Sequence, residues 1–567
     1  MTTHFDGMHL LFMLLVVLPV QTGLAQWRAA ERWFYFCGDL AKDTTATKFA
    51  ATAKTAQKAG YNGVMLECDA GNAFLWDEAK RSIYRERLAY CRSLGLKVIP
   101  SVWSVGYGSM LPFSPDLVET APIRNLSYIV RGGKMVFEGK CISVPNADME
   151  DAPSNGVFQG WDTDESGKVC FTDCGVRHGG SQSARFEPGK ASSEHARLFR
   201  RVELPPCRCY RFSAWIRADA PGLDGLRRKL RLVVRGGGET LGECGVVESP
   251  GFRSGEWQRH SVEFYASTNT AVYVYVGSWG AGSGRFWIDD ILVETMPLTK
   301  VPRGAGAMFR VMNVRTGAPC AEGVDYLPPP SMTDWRMKQD DRALTFGIPE
   351  GSSLREGDAL RIDASVPSVA HIYDKSPCGQ YSACMSDPAL YGYFERSAVS
   401  VKDLFHPDGW MLSMDEIRAG GTCEACRARH TDMAHILGNC ITRQVQTIRR
   451  VHPNAAVYVW SDMFNPVHNA HDGYYSCLGT FYGSWNFVPK DLVVVCWWHA
   501  KRDETLSFFS KQGFPTLAAA YYDAKDLESS RDWLESCRRI PNCLGLMYTT
   551  WRGQYDLLPS FGELISR

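Results

Sequence analysis

From Arg32 onward, short apolar runs alternate with longer stretches in which apolar residues recur every three or four positions. Trp33 to Cys37 is strand-like, Thr45 to Ala59 has helical spacing and is closed by Gly60, and Gly63 to Cys68 is strand-like again. A second helical stretch, Glu78 to Leu94 closed by Gly95, leads to a third apolar run from Lys97 to Trp103. This order of elements predicts parallel strands joined by right-handed crossovers.

The rhythm then stops. Between about Lys140 and Glu294 the pattern becomes short period-2 runs with Gly-rich turns, such as Cys207 to Ile216, Ala271 to Val276 and Arg285 to Ile291, which predicts an antiparallel β-sandwich. Its landmarks run from Pro145-Asn146-Ala147-Asp148-Met149-Glu150 through Gly160-Trp161 and His178-Gly179-Gly180-Ser181 to Trp287-Ile288-Asp289-Asp290. In that order they resemble the jelly-roll carbohydrate-binding modules attached to many secreted glycosidases. A small β segment covers residues 298–367.

After Pro367 helical and apolar stretches alternate again. Helices are expected at Pro388 to Leu404, Ala425 to Val451, Asp503 to Gln512 and Leu527 to Arg539. Strands are expected at Trp410 to Glu416, Val457 to Asp462, Leu492 to Trp498, Thr516 to Tyr522 and Leu544 to Thr550. Three strands before the excursion and five after it make eight, the number that closes a barrel. The expected fold is therefore an α/β protein: a (β/α)8 TIM barrel in two parts, 26–139 and 368–567, interrupted after strand three by the jelly-roll sandwich at 140–297 and by the small β segment.

Charge removes some partners from consideration. Lys+Arg and Asp+Glu balance at 62 each, so no net field favours a nucleic-acid backbone or a membrane surface. Leu10 to Val20 is an unbroken apolar run followed by Gly23-Leu24-Ala25, which reads as a signal peptide over residues 1–25 and implies a secreted, periplasmic or cell-surface protein with no membrane span after cleavage. The 19 cysteines are odd in number, so they do not all pair within one chain; Cys170 with Cys174, or Cys207 with Cys209, are candidate disulfides.

The segment Gly409-Trp410-Met411-Leu412-Ser413-Met414-Asp415-Glu416-Ile417 delivers two adjacent carboxylates to the end of a strand. Neighbouring residues on a strand face opposite ways, so both acids reach one pocket only where the strand ends. The strands that follow end in Trp460 and Asp462, in Trp497 and Trp498, in Tyr521-Tyr522-Asp523 and in Trp551. These residues, in this order, resemble glycoside hydrolase family 20, the β-N-acetylhexosaminidases.

The resemblance implies substrate-assisted hydrolysis with retention, in which the substrate's own 2-acetamido oxygen attacks the anomeric carbon. Glu416 would be the general acid and base, and Asp415 would orient the acetamide and steady the cyclised cation. Tyr521, or Tyr522 if the strand parity slips by one, would hold the acetamide oxygen. Trp460, Trp497 or Trp498, and Trp551 would wall in the sugar, while Asp462 and Asp523 would serve as substrate-binding acids. The family's Arg after strand one has no counterpart in Cys37-Gly38-Asp39-Leu40, and Gly553 stands where a Glu is common. Asp39, Glu67 and Asp69, at the ends of strands one and two, are available as replacements.

His468 and Asn469, in the loop after strand five, are candidates for shaping the substrate site. Cys423-Glu424-Ala425-Cys426, with His430, His435 and Cys440 downstream, has the composition of a structural zinc site, a redox pair or a disulfide. Glu150 with Asp289 or Asp290 resembles a structural Ca2+ site of carbohydrate-binding modules; the chemistry itself requires no cofactor. Two rival functions use the same residues: a two-carboxylate glycosidase pairing Glu416 with Asp462 or Glu67, and a glycan-binding surface protein without catalysis.

Overall fold

The computed structural model describes residues 27–192, 195–219, 221–280, 282–336, 343–369 and 380–566. The signal-peptide segment lies outside them. Among the described residues no helix is long and apolar enough to cross a membrane.

Eight parallel strands close into a barrel in chain order: Glu31–Cys37, Gly63–Glu67, Lys97–Val102, Trp410–Leu412, Val457–Trp460, Val493–Cys496, Thr516–Ala519 and Cys543–Tyr548. The pleat sorts their side chains into two sets. Trp33, Tyr35, Met65, Ile99, Met411, Tyr458, Trp460, Val493, Val495 and Leu517 fill the interior. Phe34, Phe36, Val64, Leu66, Val98, Leu412, Val459 and Val494 face outward into the larger core shared with the helices. The seam between strands three and four is thin: it pairs Met411 with Ser101 and Leu412 with Val102.

This topology corrects the expected (β/α)8 TIM barrel with a jelly-roll insert. Helices do not follow every strand: residues 461–492, between strands five and six, hold only the short 3-10 turns Asp462–Phe464 and Ser484–Asn486 and the two-residue strand Ser476–Cys477. That segment is rich in Gly, Asn, His and Tyr and lacks a 3.6-residue apolar repeat, so it has no face to lay on the barrel. Among the described residues most strands lie in antiparallel sheets outside the barrel.

Two of these sheets, one of five strands and one of six, span residues 141–295 and share a core that includes Leu198, Phe212, Ile216, Val234, Val276 and Ile288. A third sheet, of six strands, is larger than a small segment at 298–367 could build. Thr120–Arg131 and Lys134–Phe137 join it, through the pairing of Thr120–Arg131 with Ala359–Pro367. It has its own core around Tyr128, Leu360, Ile362 and Phe346. A cavity of about 230 Å³ lined by Leu126, Phe264, Tyr265, Leu298 and Val366 lies where sheets two and three meet.

The expected helix from Ala425 to Val451 is two pieces, Glu424–Arg427 and Met433–Val451. His430 adopts a left-handed conformation, φ 48°, and the Asp432 side chain accepts the His435 N–H as an N-cap, so the chain restarts its helix there. Among the described residues every cysteine is a free thiol, so neither Cys170–Cys174 nor Cys207–Cys209 is bridged.

Candidate active site

The acids lie beyond the end of strand four, whose pairing stops at Leu412. Ser413 Oγ donates to Asp415 Oδ1 at 3.0 Å. Glu416 then takes a left-handed conformation, φ 48°, which turns the chain so that both neighbouring carboxyls serve one region. Its backbone N–H donates to Asp462 Oδ2 at 2.9 Å, fastening the turn to the end of strand five. Gly106 packs beneath: a β-carbon there would meet the backbone of Asp415 and Glu416.

The three carboxyls have distinct environments. Asp415 is held well above the usual carboxylate range, chiefly by burial and then by the charges of Asp462 and Glu416. Asp462 is completely buried and pushed up to about 6, burial again leading and Glu416 adding to it. Its Oδ2 also accepts from Asn469 Nδ2 at 2.9 Å, while its buried Oδ1 has no hydrogen-bond partner among the described residues. Glu416 is the member that reaches outward, with 24% of its side chain exposed. Its Oε2 contacts Arg418 Nη2 at 2.7 Å and accepts the Tyr107 hydroxyl. Arg418 lies over the rings of Tyr107 and Tyr475, at 5.7 and 5.6 Å. Burial and the charges of Asp415 and Glu416 push the Tyr107 phenol upward, so it acts as a neutral donor.

Aromatic rings surround this outlet. Trp551 lies 5.8 Å from Trp460, 5.2 Å from Tyr35 and 6.0 Å from Tyr522. Tyr522 and Trp497 face each other with centroids 6.5 Å apart and planes within 8°. Tyr522 and Trp551 are 54% and 42% exposed, so this wall is open to a ligand. His468 sits 4.6 Å from both Trp497 and Trp498, and burial lowers its ring to about 4, so it is neutral. Asn469 also binds Asp462 through its backbone, N–H to O at 3.1 Å.

Not every expected residue joins the group. Tyr521 points away, donating to the Ala524 carbonyl at 2.8 Å and stacking on Tyr548 at 4.2 Å; Tyr522 takes the outward place. Asp523 accepts from the Thr550 hydroxyl and from the N–H groups of Trp551 and Arg552 at 2.8 and 3.2 Å, which makes it the clamp that positions Trp551. Asp39 is taken up by Lys80 at 3.1 Å, Tyr84 at 2.9 Å and the Ala41 N–H at 3.1 Å. Glu67 ends strand two beside Tyr35, its carboxyl raised mainly by burial. Asp69 forms its own cluster with Asn72 and is raised to about 6, mainly by burial. In the antiparallel sheets, Glu150 accepts the Ser181 N–H at 2.9 Å and Asp289 the His178 N–H at 2.9 Å, so both are engaged by the 178–182 loop.

Sequence reasoning missed Tyr107 and Arg418. Gly106-Tyr107-Gly108 lies in the loop after strand three, beyond Trp103-Ser104-Val105, and Arg418 lies two residues past Glu416, so position relative to strand ends was the available signal.

No family model matches the chain, and no curated protein matches it. Among solved structures, a cyclase from Fischerella sp. TAU aligns at 13% identity over 28% of this chain and 98% of its own, with a TM-score of 0.24. The module TmCBM61 in complex with β-1,4-galactotriose aligns at 20% identity over 27% of this chain and 97% of its own, TM-score 0.20. The CBM22-1 xylan-binding domain from Paenibacillus barcinonensis Xyn10C aligns at 14% identity over 31% of this chain and 96% of its own, TM-score 0.20. Each alignment covers under a third of the chain, at scores that say nothing about the acids at the barrel mouth.

Proposed function

We propose that this protein is an exported glycoside hydrolase that cleaves terminal β-linked N-acetylhexosamine by substrate assistance, with Glu416 as general acid and base and Asp415 orienting the 2-acetamido group. The observation that carries the reading is the convergence of Asp415, Glu416 and Asp462 behind an outlet lined by Trp460, Trp497, Tyr522 and Trp551. Paired acids supply proton transfer at a glycosidic oxygen, and indole and phenol faces suit the C–H faces of a pyranose. Glu416 is the acid that reaches the outlet; Asp415 lies behind it, where a substrate amide would be desolvated. Tyr107 and Arg418 fix the Glu416 carboxylate from one side, the pre-orientation that general acid–base catalysis needs.

The 2.7 Å contact between Glu416 and Arg418, which favours a carboxylate, supports a second reading, a two-carboxylate retaining glycosidase in which Glu416 is the nucleophile and Asp462, pushed up to about 6, gives its proton to the leaving oxygen. One experiment separates them. Aryl N-acetyl-glucosaminides and galactosaminides are assayed with wild-type and Glu416→Gln protein, with and without a thiazoline that mimics the cyclised intermediate. Substrate assistance predicts turnover of acetamido sugars, thiazoline inhibition and a fall in kcat of about 10²–10⁴-fold in the variant. Labelling of Glu416 by a 2-fluoro glycoside, with no thiazoline effect, would establish the second reading. Turnover unchanged by Glu416→Gln would remove both.

A further inference from the structure

We propose that Glu119, Cys384, Cys423 and Cys426 form a structural zinc site that fastens the loop carrying Glu416 and Arg418 to the adjoining antiparallel sheet. These four side chains are buried, and one donor atom of each lies within 4.8 Å of all the others. Among the described residues they are the group of His, Cys, Asp and Glu with this property. They come from three parts of the chain: Glu119 immediately precedes the sheet strand Thr120–Arg131, Cys384 precedes the helix Pro388–Phe405, and Cys423 and Cys426 follow strand four.

The distances fit a tetrahedral metal. Zinc–sulfur bonds of about 2.3 Å place two thiolates about 3.8 Å apart, whereas a disulfide needs about 2.05 Å. Cys384 Sγ lies 3.5 Å from Cys423 Sγ and 3.8 Å from Cys426 Sγ. Glu119 Oε2 lies 3.6 Å from Cys426 Sγ, which suits a carboxylate oxygen as the fourth ligand.

The surroundings orient these donors as an outer shell does in zinc proteins. The Cys426 N–H points at Cys423 Sγ, 3.3 Å, and the Ser386 hydroxyl lies 3.2 Å from Cys426 Sγ. Glu119 Oε1 accepts from the N–H groups of Thr422 and Cys423 at 2.9 and 3.0 Å and from Thr422 Oγ1 at 3.1 Å, leaving Oε2 turned toward the sulfurs. Gly306 lets the chain of the third sheet close over Cys423, where a β-carbon would come within 2.6 Å of Sγ. The other candidates near the Cys423/Cys426 pair stand apart from this group: His430 is exposed, His435 binds Asp432 at 2.8 Å, and Cys440 packs beside Tyr391.

The proposal is independent of the reaction assigned to the barrel. Zinc is measured by elemental analysis on the full chain purified without chelator, and the protein is then reconstituted with Co2+ under reducing conditions. One zinc per chain, with the intense near-ultraviolet thiolate-to-cobalt band of a tetrahedral site, is the expected result. Cys426→Ser and Cys384→Ser should each lower retained metal at least tenfold, while Cys440→Ala should leave it unchanged. Should the serine variants not fold, a chelator titration of the wild-type protein should free three thiols per metal removed, counted with a chromogenic thiol reagent. Zinc-free protein that gives no cobalt band, or a disulfide joining two of the three cysteines by mass spectrometry, would overturn the site.

Discussion

A β-carbon on Gly106 would lie 2.1 Å from the Asp415 carbonyl oxygen and 3.0 Å from the Glu416 carbonyl carbon. The loop after strand three and the acid-bearing loop after strand four are therefore in backbone contact, and the obstacle is main chain rather than a flexible side-chain tip. Gly106→Ala should cost about 1–3 kcal/mol through overpacking, read from the urea midpoint. Because the displaced peptide carries both acids, kcat should fall by about tenfold to a hundredfold in the fraction that folds. Unchanged stability and turnover would show that the loops part without consequence.

Asp462 supplies a pH prediction whose sign follows from its environment. Its folded value of about 6 lies above the ordinary carboxylate value of about 3.9, so the native state retains a proton that the unfolded chain has given up. The associated stabilisation is full below about pH 4 and is lost as pH rises through about 6. Asp462→Asn keeps an acceptor for the Glu416 N–H and removes the titration. Its stability should decline less steeply than that of the wild type between pH 4 and 7, measured by urea unfolding at each pH; parallel curves would contradict the assignment.

The adjacent tyrosines should behave oppositely. Tyr522→Ala removes an exposed ring parallel to Trp497 and should raise KM for a saccharide about tenfold with a small effect on stability. Tyr521→Phe loses the hydroxyl donated to Ala524 and should cost about 1 kcal/mol while leaving KM unchanged. The reverse pattern would restore Tyr521 to the binding surface.

Asp523→Ala should act through Trp551. It removes the acceptor for the Trp551 and Arg552 N–H groups, at an expected cost of roughly 1–3 kcal/mol. Indole fluorescence should report a changed environment at the outlet, a signal absent from the same substitution in a Trp551→Phe background.

The strand positions of the barrel were legible because each is a short apolar run with a turn residue nearby, as at Gly60, Gly95 and Gly409. The regular helix alternation was over-read. Periodicity alone did not mark the restart at Asp432, and residues 461–492, which carry Asp462, His468 and Asn469, use their backbone in tight turns instead of a helix. The third sheet was hidden because Ile123 and Ala364 are paired neighbours although a whole pair of sheets intervenes in the chain. In the site, the strand-end acids could be located by counting, but the partners that define them could not. Tyr107, Arg418 and Asp462 meet Glu416 only after three separate loops converge.

The narrow seam between strands three and four has a bearing on how the chain assembles. Ser101 and Met411 meet across a closed loop holding three antiparallel sheets, so their contact has a large entropic cost and little local reward. In vectorial synthesis the inserted sheets precede the second half of the barrel, so the first three strands are expected to wait with both outer edges, Glu31–Cys37 and Lys97–Val102, unpaired. Closure of the barrel is thereby expected last, when Cys543–Tyr548 reaches the free edge of Glu31–Cys37.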